Sequence, residues 1–219
     1  MDKHQGKPNS SMGFVNPGLK GHDFFTRTMG QDSKAKVLLH SCCGPCSTAC
    51  IERLAPDYDI TVFYFNPSIT EEEEYEKRKA NQILFIDAFN REKLSDTPIK
   101  FIEGRYSPDE YLELIKGLEG EPEGGERCRV CFRQRLRETA KKAKSMNMDY
   151  FTTTLTVSPH KNYDVIAAIA KEAAEEFQIA FLDMDFKKKA GFQRSIQLSK
   201  EYELYRQDYC GCPFSKRDK

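Results

Sequence analysis

The stretch Val37-Leu38-Leu39-His40-Ser41-Cys42-Cys43-Gly44-Pro45-Cys46 decides how this chain is read. An apolar, β-prone run ends in two adjacent cysteines, a Gly-Pro turn and a third cysteine where a helix should begin. Gly permits positive φ and Pro fixes φ near −65°, so a strand turning sharply into a helix is expected here. Neighbouring side chains of a straight strand point to opposite faces. At the strand's end, where the backbone turns, the sulfurs of Cys42 and Cys43 can converge on one centre.

Outward from this point, strand-like and helix-like segments alternate. Short runs rich in Val, Ile, Phe and Tyr occur at Val37–His40, Ile60–Phe65, Ile99–Glu103, Tyr150–Val157 and Ile179–Asp183. They are nearly continuous in apolar character, as strands covered on both faces are. Helices are expected between them over Cys46–Leu54, Glu71–Phe89, Pro108–Leu118, Arg127–Met146, Asp164–Phe177 and Gln193–Tyr205. Five strands alternating with helices predict an α/β, Rossmann-like, doubly wound and mostly parallel sheet. In such sheets the working residues collect at the carboxyl ends of the strands, which is where the metal site is expected.

Residues 1–34 are rich in Gly, Pro, Asn, Ser and Lys without periodicity, and a flexible extension is expected there, with Phe14, Val15, Phe24 and Phe25 available to dock it. Residues 35–219 are expected to form a single catalytic domain whose C-terminal tail folds back to the site. The 219 residues carry 34 basic and 34 acidic side chains, so no global charge announces a partner, and a polyanion would have to meet a local patch. With no apolar run of about 18 residues and no apolar leader, the expected location is the cytoplasm, with no membrane partner.

Eight cysteines in such a compartment point away from structural disulfides. Six fall in tight groups: Cys42-Cys43, Cys128-Arg129-Val130-Cys131 and Cys210-Gly211-Cys212. Cys128 and Cys131 share a helix face at i and i+3. Four thiolates, from Cys42, Cys43, Cys128 and Cys131, select zinc or an iron–sulfur cluster. A vicinal pair suits a single tetrahedral ion poorly, whereas a cluster offers neighbouring thiols separate irons, so the cluster is favoured. Cys46, at a helix start, is expected to have a lowered pKa and to bind a second metal or react, against the plain alternative of a buried thiol. Cys50, a turn deeper, is assigned to the core. A disulfide between Cys210 and Cys212 would close a small strained ring, which suits electron relay better than stability.

Two further groups complete the candidate site. Arg127, Arg129, Arg133, Arg135, Arg137, Lys141, Lys142 and Lys144 surround the second cysteine pair, Lys187, Lys188, Lys189 and Arg194 precede the last helix, and Lys216, Arg217 and Lys219 end the chain. Together they suggest a bound polyanion whose affinity falls with salt. His160 and Lys161 lie in a polar rim loop, whereas His40 reads as a strand-end hydrogen-bonding residue.

At this point the motifs become specific. His40-Ser41-Cys42-Cys43-Gly44-Pro45-Cys46, Tyr64-Phe65-Asn66-Pro67-Ser68-Ile69, Glu126-Arg127-Cys128-Arg129-Val130-Cys131 and the residues after it, Thr153 through Asn162, and Tyr205 through Cys212 follow in order. The chain from about Lys36 to Ser215 resembles the cobalamin-independent epoxyqueuosine reductases. The resemblance implies two-electron reduction of epoxyqueuosine to queuosine at the wobble position of tRNA. It also implies a four-iron–four-sulfur cluster on Cys42, Cys43, Cys128 and Cys131, a redox-active pair at Cys210 and Cys212, and a further adjacent iron or other divalent metal. A cellular electron donor is then required. His160 or Lys161 would protonate the opened epoxide. The implied fold is similar to nucleotide-hydrolase-like tRNA-modifying enzymes, with cysteines where those carry a phosphate loop, which argues against ATP use. Two other classes fit parts of the pattern: a zinc-stabilised RNA-binding module and a heterodisulfide-reductase-like iron–sulfur subunit.

Overall fold

The structure, a computed structural model, describes residues 34–216. The extension expected before Lys34, with its four candidate docking residues, lies outside them, as do Arg217 and Lys219. Five parallel strands form one sheet in the order β3-β2-β1-β4-β5: β1 Ala35–Ser41, β2 Tyr58–Tyr64, β3 Lys100–Glu103, β4 Tyr150–Thr153 and β5 Ala180–Phe181. The helices are α1 Gly44–Leu54, α2 Glu72–Arg91, α3 Pro108–Leu114, α4 Glu126–Ser145, α5 Tyr163–Phe177 and α6 Gly191–Glu201.

Strand periodicity explains the layering. Val37 and Leu39 point into a core shared with Ile51 and Leu54 of α1 and Phe85 and Phe89 of α2. Leu38, between them, points the other way, into a core built with Leu136 of α4 and Ile166 and Ile169 of α5. The sheet is therefore covered on both faces, which is the doubly wound arrangement read from the sequence. Cys50 is fully buried in the first of these cores. No helix among the described residues is long and apolar enough to cross a membrane.

In a sheet of this order the strands are added outward in opposite directions from β1 and β4, and ligand crevices open at the carboxyl ends of those two parallel strands. β1 ends at Ser41, directly before the cysteines. β4 is shorter than the Thr-rich run from Tyr150 to Val157 suggests. Thr153 Oγ1 accepts the Leu155 N–H (3.1 Å), and Thr154–Val157 winds into a 3₁₀ turn. The hydroxyl competes with the ladder, and β-branched composition alone does not foretell that.

His40 is fully buried at this junction. Its Nε2 donates to the Phe65 carbonyl (3.1 Å), which can only accept, so Nδ1 accepts from Thr153 Oγ1 (2.9 Å). Burial, assisted by the Arg135 charge, lowers its pKa to about 4, so the ring stays neutral and spans β1, β2 and β4. Asn66 adds a second tie, donating from Nδ2 to the Ser41 carbonyl (3.0 Å).

Gly44 has no positive φ, contrary to the expectation for the Gly-Pro turn. It is the first residue of α1, and a Cβ there would sit 2.7 Å from the Asn81 carbonyl oxygen. Its role is close approach of α1 to α2.

Candidate active site

At the end of β1, the sulfurs of Cys42, Cys43 and Cys46 lie within 4.8 Å of one another, close enough for the three to hold a metal ion. Cys43 is the residue before α1 and Cys46 lies in its first turn, so the positive end of the helix dipole faces the sulfurs. Hydrogen bonds from Cys43 and Cys46, together with the charges of Arg135 and Lys161, hold the Cys42 thiol well below its usual range against the effect of burial. Donating to Cys42 pushes Cys43 up to about 12 and raises Cys46 as well. The thiolate expected at Cys46 thus sits at Cys42, because the inner sulfur accepts from both neighbours.

Cys128 and Cys131, on one face of α4, line a separate small chamber of about 90 Å³ together with Cys210, Cys212 and Tyr111. Gly124 N–H reaches the Cys128 sulfur at 3.2 Å, and the Tyr111 hydroxyl lies 3.1 Å from the Cys212 sulfur. A second cavity of about 230 Å³ contains Cys42 and Cys46 and is walled by residues 206–210 and by His160 and Lys161. Cys210 and Lys161 line both. The inner chamber is far below the roughly 300–1,000 Å³ of small-molecule sites, so it suits packed sulfurs and metal. All eight cysteines are free thiols.

The C-terminal segment is held over these sulfurs by α2. Tyr205 N–H donates to Asn81 Oδ1 (2.8 Å), and Gln207 Nε2 donates to the Cys43 sulfur (3.0 Å). Arg78, fully buried, donates from Nη1 to the Cys210 carbonyl (3.1 Å) and from Nη2 to the Tyr209 carbonyl (3.3 Å), while its Nε pairs with Glu74 (2.6 Å). Gly211 follows with φ +107°, and a Cβ there would meet Ile69 at 2.7 Å and the Arg78 guanidinium at 3.1 Å. Glycine is therefore required twice over, by conformation and by space. Arg78→Met is expected to leave two part-buried carbonyls unpaired, at about 2–4 kcal/mol against docking. Hydrogen exchange at residues 205–216 should then rise selectively, with Arg78→Lys restoring it only in part, since an ammonium lacks the forked donors.

The basic cluster around Cys131 divides in the structure. Arg127 and Arg135 are buried. Arg127 Nη1 gathers the carbonyls of Leu118, Glu119 and Glu121 and so fixes the acidic loop before α4. Arg135 donates to Ser68 Oγ, and its Nε has no partner among the described residues. A buried cation with an orphaned donor, acted on by the sulfurs of Cys131, Cys210 and Cys42, calls for an anion beside it. A metal centre bound by thiolates carries net negative charge, so the donor set and its surroundings fit one.

Of the residues singled out in the sequence, Cys42, Cys46, Cys128, Cys131, Cys210, Cys212, His160 and Lys161 line these cavities, whereas Tyr111, Arg78 and the burial of Arg135 were not foreseen. Helical spacing holds the missing signal: Cys128, Cys131 and Arg135 recur at three- and four-residue intervals on one face, as do Glu74 and Arg78.

Residues 37–218 match the family model described as epoxyqueuosine reductase QueH. A protein named epoxyqueuosine reductase QueH from Streptococcus pyogenes serotype M1 is 41% identical over 211 residues, covering 93% of this chain and 81% of the relative. Its namesake from Staphylococcus epidermidis is 40% identical, covering 83% and 76% respectively. That of Thermotoga maritima is 34% identical, covering 82% and 89%. A match over nearly the whole described chain, with the cysteine-lined cavities inside it, shows that the chain belongs to the epoxyqueuosine reductase QueH family of oxidoreductases.

Proposed function

We propose that the protein reduces epoxyqueuosine to queuosine at the wobble position of tRNA, without cobalamin, by a two-electron deoxygenation. The observation that carries this reading is that six cysteines line two cavities with Cys210 and Lys161 common to both, and that a seventh, Cys43, is grouped with Cys42 and Cys46. Cys42, Cys43, Cys128 and Cys131 would hold a four-iron–four-sulfur cluster, and Cys46 would serve a second iron or divalent metal. Such a centre supplies single electrons and a Lewis acid for the epoxide oxygen.

The chain's own residues account for the remaining balance. Removing the oxygen breaks both C–O bonds, leaves an alkene and releases water, consuming two electrons and two protons. The Cys210/Cys212 dithiol supplies both electrons and both protons on closing to a disulfide, and a cellular electron donor reopens it. Lys161 delivers one of these two protons at the oxygen and regains it from the dithiol. Burial works to lower its pKa, but the sulfurs of Cys210, Cys42 and Cys46 outweigh that and hold it above the lysine range, so it arrives charged. His160, exposed at the mouth, relays from solvent the two protons that the disulfide takes up when the electron donor reopens it.

Protein prepared without oxygen is expected to be brown, to hold at least four irons per chain, and to convert epoxyqueuosine-containing tRNA in one turnover without added reductant once its thiols are reduced. Colourless, folded protein with stoichiometric zinc would instead support the RNA-binding module.

A further inference from the structure

Away from the cysteines, the cationic side chains fall into two groups with different surroundings. On the part of α4 nearer the cysteines, Arg129 pairs with Glu126 (3.1 Å), Arg133 with Glu172 (3.7 Å), Arg137 with Glu176, and Lys141 with Glu138 (3.9 Å), whereas Lys142 and Lys144, without an ion pair among the described residues, lie in its last turn, at the end away from Cys128 and Cys131. A matched pair presents a dipole whose field fades quickly in salt, and an incoming phosphate must first displace a carboxylate.

The segment between β5 and α6 is different. Lys187, Lys188 and Lys189 form no ion pair among the described residues, and Lys188 and Lys189 are exposed. Lys187 Nζ donates instead to the Lys161 carbonyl (2.8 Å), which ties this segment to the loop at the mouth of the site. Arg53 Nη1 fastens it from α1 through the carbonyls of Asp185 (3.5 Å) and Lys188 (3.4 Å). Lys189 and Ala190 both hold left-handed φ, 57° and 58°. The lysines are thus displayed from a constrained backbone, which lowers the entropy lost when they bind.

The exposed Lys189 follows Lys187 and Lys188 in sequence, and those two line an open concavity of about 650 Å³ with Asp185 and the loop 159–164. It shares Pro159, His160 and Lys161 with the cavity that contains Cys42, Cys46 and Cys210. Of the acids nearby, Asp185 accepts the Lys187 N–H (3.1 Å), Asp183 is held by Lys171 (2.7 Å), and Asp164 lies in the first turn of α5. A strand lying in the concavity would have its next base at the entrance to the sulfurs.

We propose that this lysine-bordered concavity, rather than the α4 face, carries the backbone phosphates of the tRNA next to the modified nucleotide. The proposal rests on tRNA being the substrate, as argued above. A splayed base enters the cysteine cavity while its neighbours stay in the cationic groove, the usual division for single-stranded RNA.

The test is equilibrium binding of an unmodified tRNA transcript to metal-loaded protein over a salt series. Lys188→Gln with Lys189→Gln should weaken binding about tenfold at low salt and flatten the slope of log K against log salt by about 1.4, at about 0.7 per single-strand phosphate contact. Arg133→Gln with Arg137→Gln should leave affinity and slope unchanged. The reverse pattern, or an unaltered slope in the lysine variant, would overturn the assignment while leaving tRNA as substrate. Wild-type protein that binds no tRNA would remove the functional reading itself. Lysine-dependent binding to anionic phospholipid vesicles alongside lysine-independent tRNA binding would make the surface a lipid site and also overturn it.

Discussion

Cys210→Ser and Cys212→Ser are expected to abolish multiple turnover while leaving the colour and iron content of the protein intact, and Cys128→Ser is expected to lose both. The distinction follows from what each sulfur touches. Cys128, a ligand in the proposed centre, stands on the first turn of a 20-residue helix and receives a backbone N–H. Cys210 and Cys212 lie outside any helix, one residue apart across a positive-φ glycine, the spacing of a dithiol that can close and reopen. Loss of either partner of a dithiol removes the two-electron store, so the activity should fall by at least three orders of magnitude, as for other unit-acting residues. Thiol titration of wild-type protein before and after one turnover should differ by two. Iron lost from Cys210→Ser would make this pair a ligand set instead and reverse the division of the cysteines.

Arg135→Met is expected to act with opposite signs on the two forms of the protein. Without metal, Cys42 is the sulfur held as thiolate, while both Arg135 and Lys161 carry charge beside it. One buried cation is then uncompensated, and replacing it by an apolar side chain of similar length should stabilise the metal-free form by about 1–4 kcal/mol. With the centre bound, the same change removes its counter-charge, so metal should leave faster under chelator and the midpoint potential should move to more negative values. Thermal unfolding of both forms, with chelator-release rates, decides the matter. A metal-free variant less stable than wild type would show that Arg135 serves mainly to bridge Ser68 and α4.

Much of this architecture is legible in the residues. The β1 run ending at Cys42 announces a strand that meets its helix at the rim, and two-faced burial of Val37, Leu38 and Leu39 follows from continuous apolar character. The cysteines declare themselves by spacing. What stays hidden depends on contacts between distant segments. Arg78 reads as one charge in the run Glu72 to Lys79, yet it is buried because the segment from Tyr205 onward lies against it. Arg135 reads as one of a row of surface cations, and only the helix phase shared with Cys131 separates it from Arg133 and Arg137. The end of β4 at Thr153 was decided by one hydroxyl.

The docking of the last segment on α2 also has a consequence in time. The cysteines at the end of β1 leave the ribosome early, whereas Cys210 emerges only after nearly all of the described chain has been made. At about 5–20 residues per second, the interval is on the order of ten to thirty seconds. β1 must also wait for β4, its partner across more than a hundred residues of sequence, since Lys36 N–H is bonded to Asp149, 113 positions further along the chain. During that interval Cys42 and Cys43 are uncovered thiols on an unfinished sheet, open to oxidation and to stray metal. Loading of the proposed centre would therefore follow synthesis, and a cell short of oxygen protection should damage the newest molecules first.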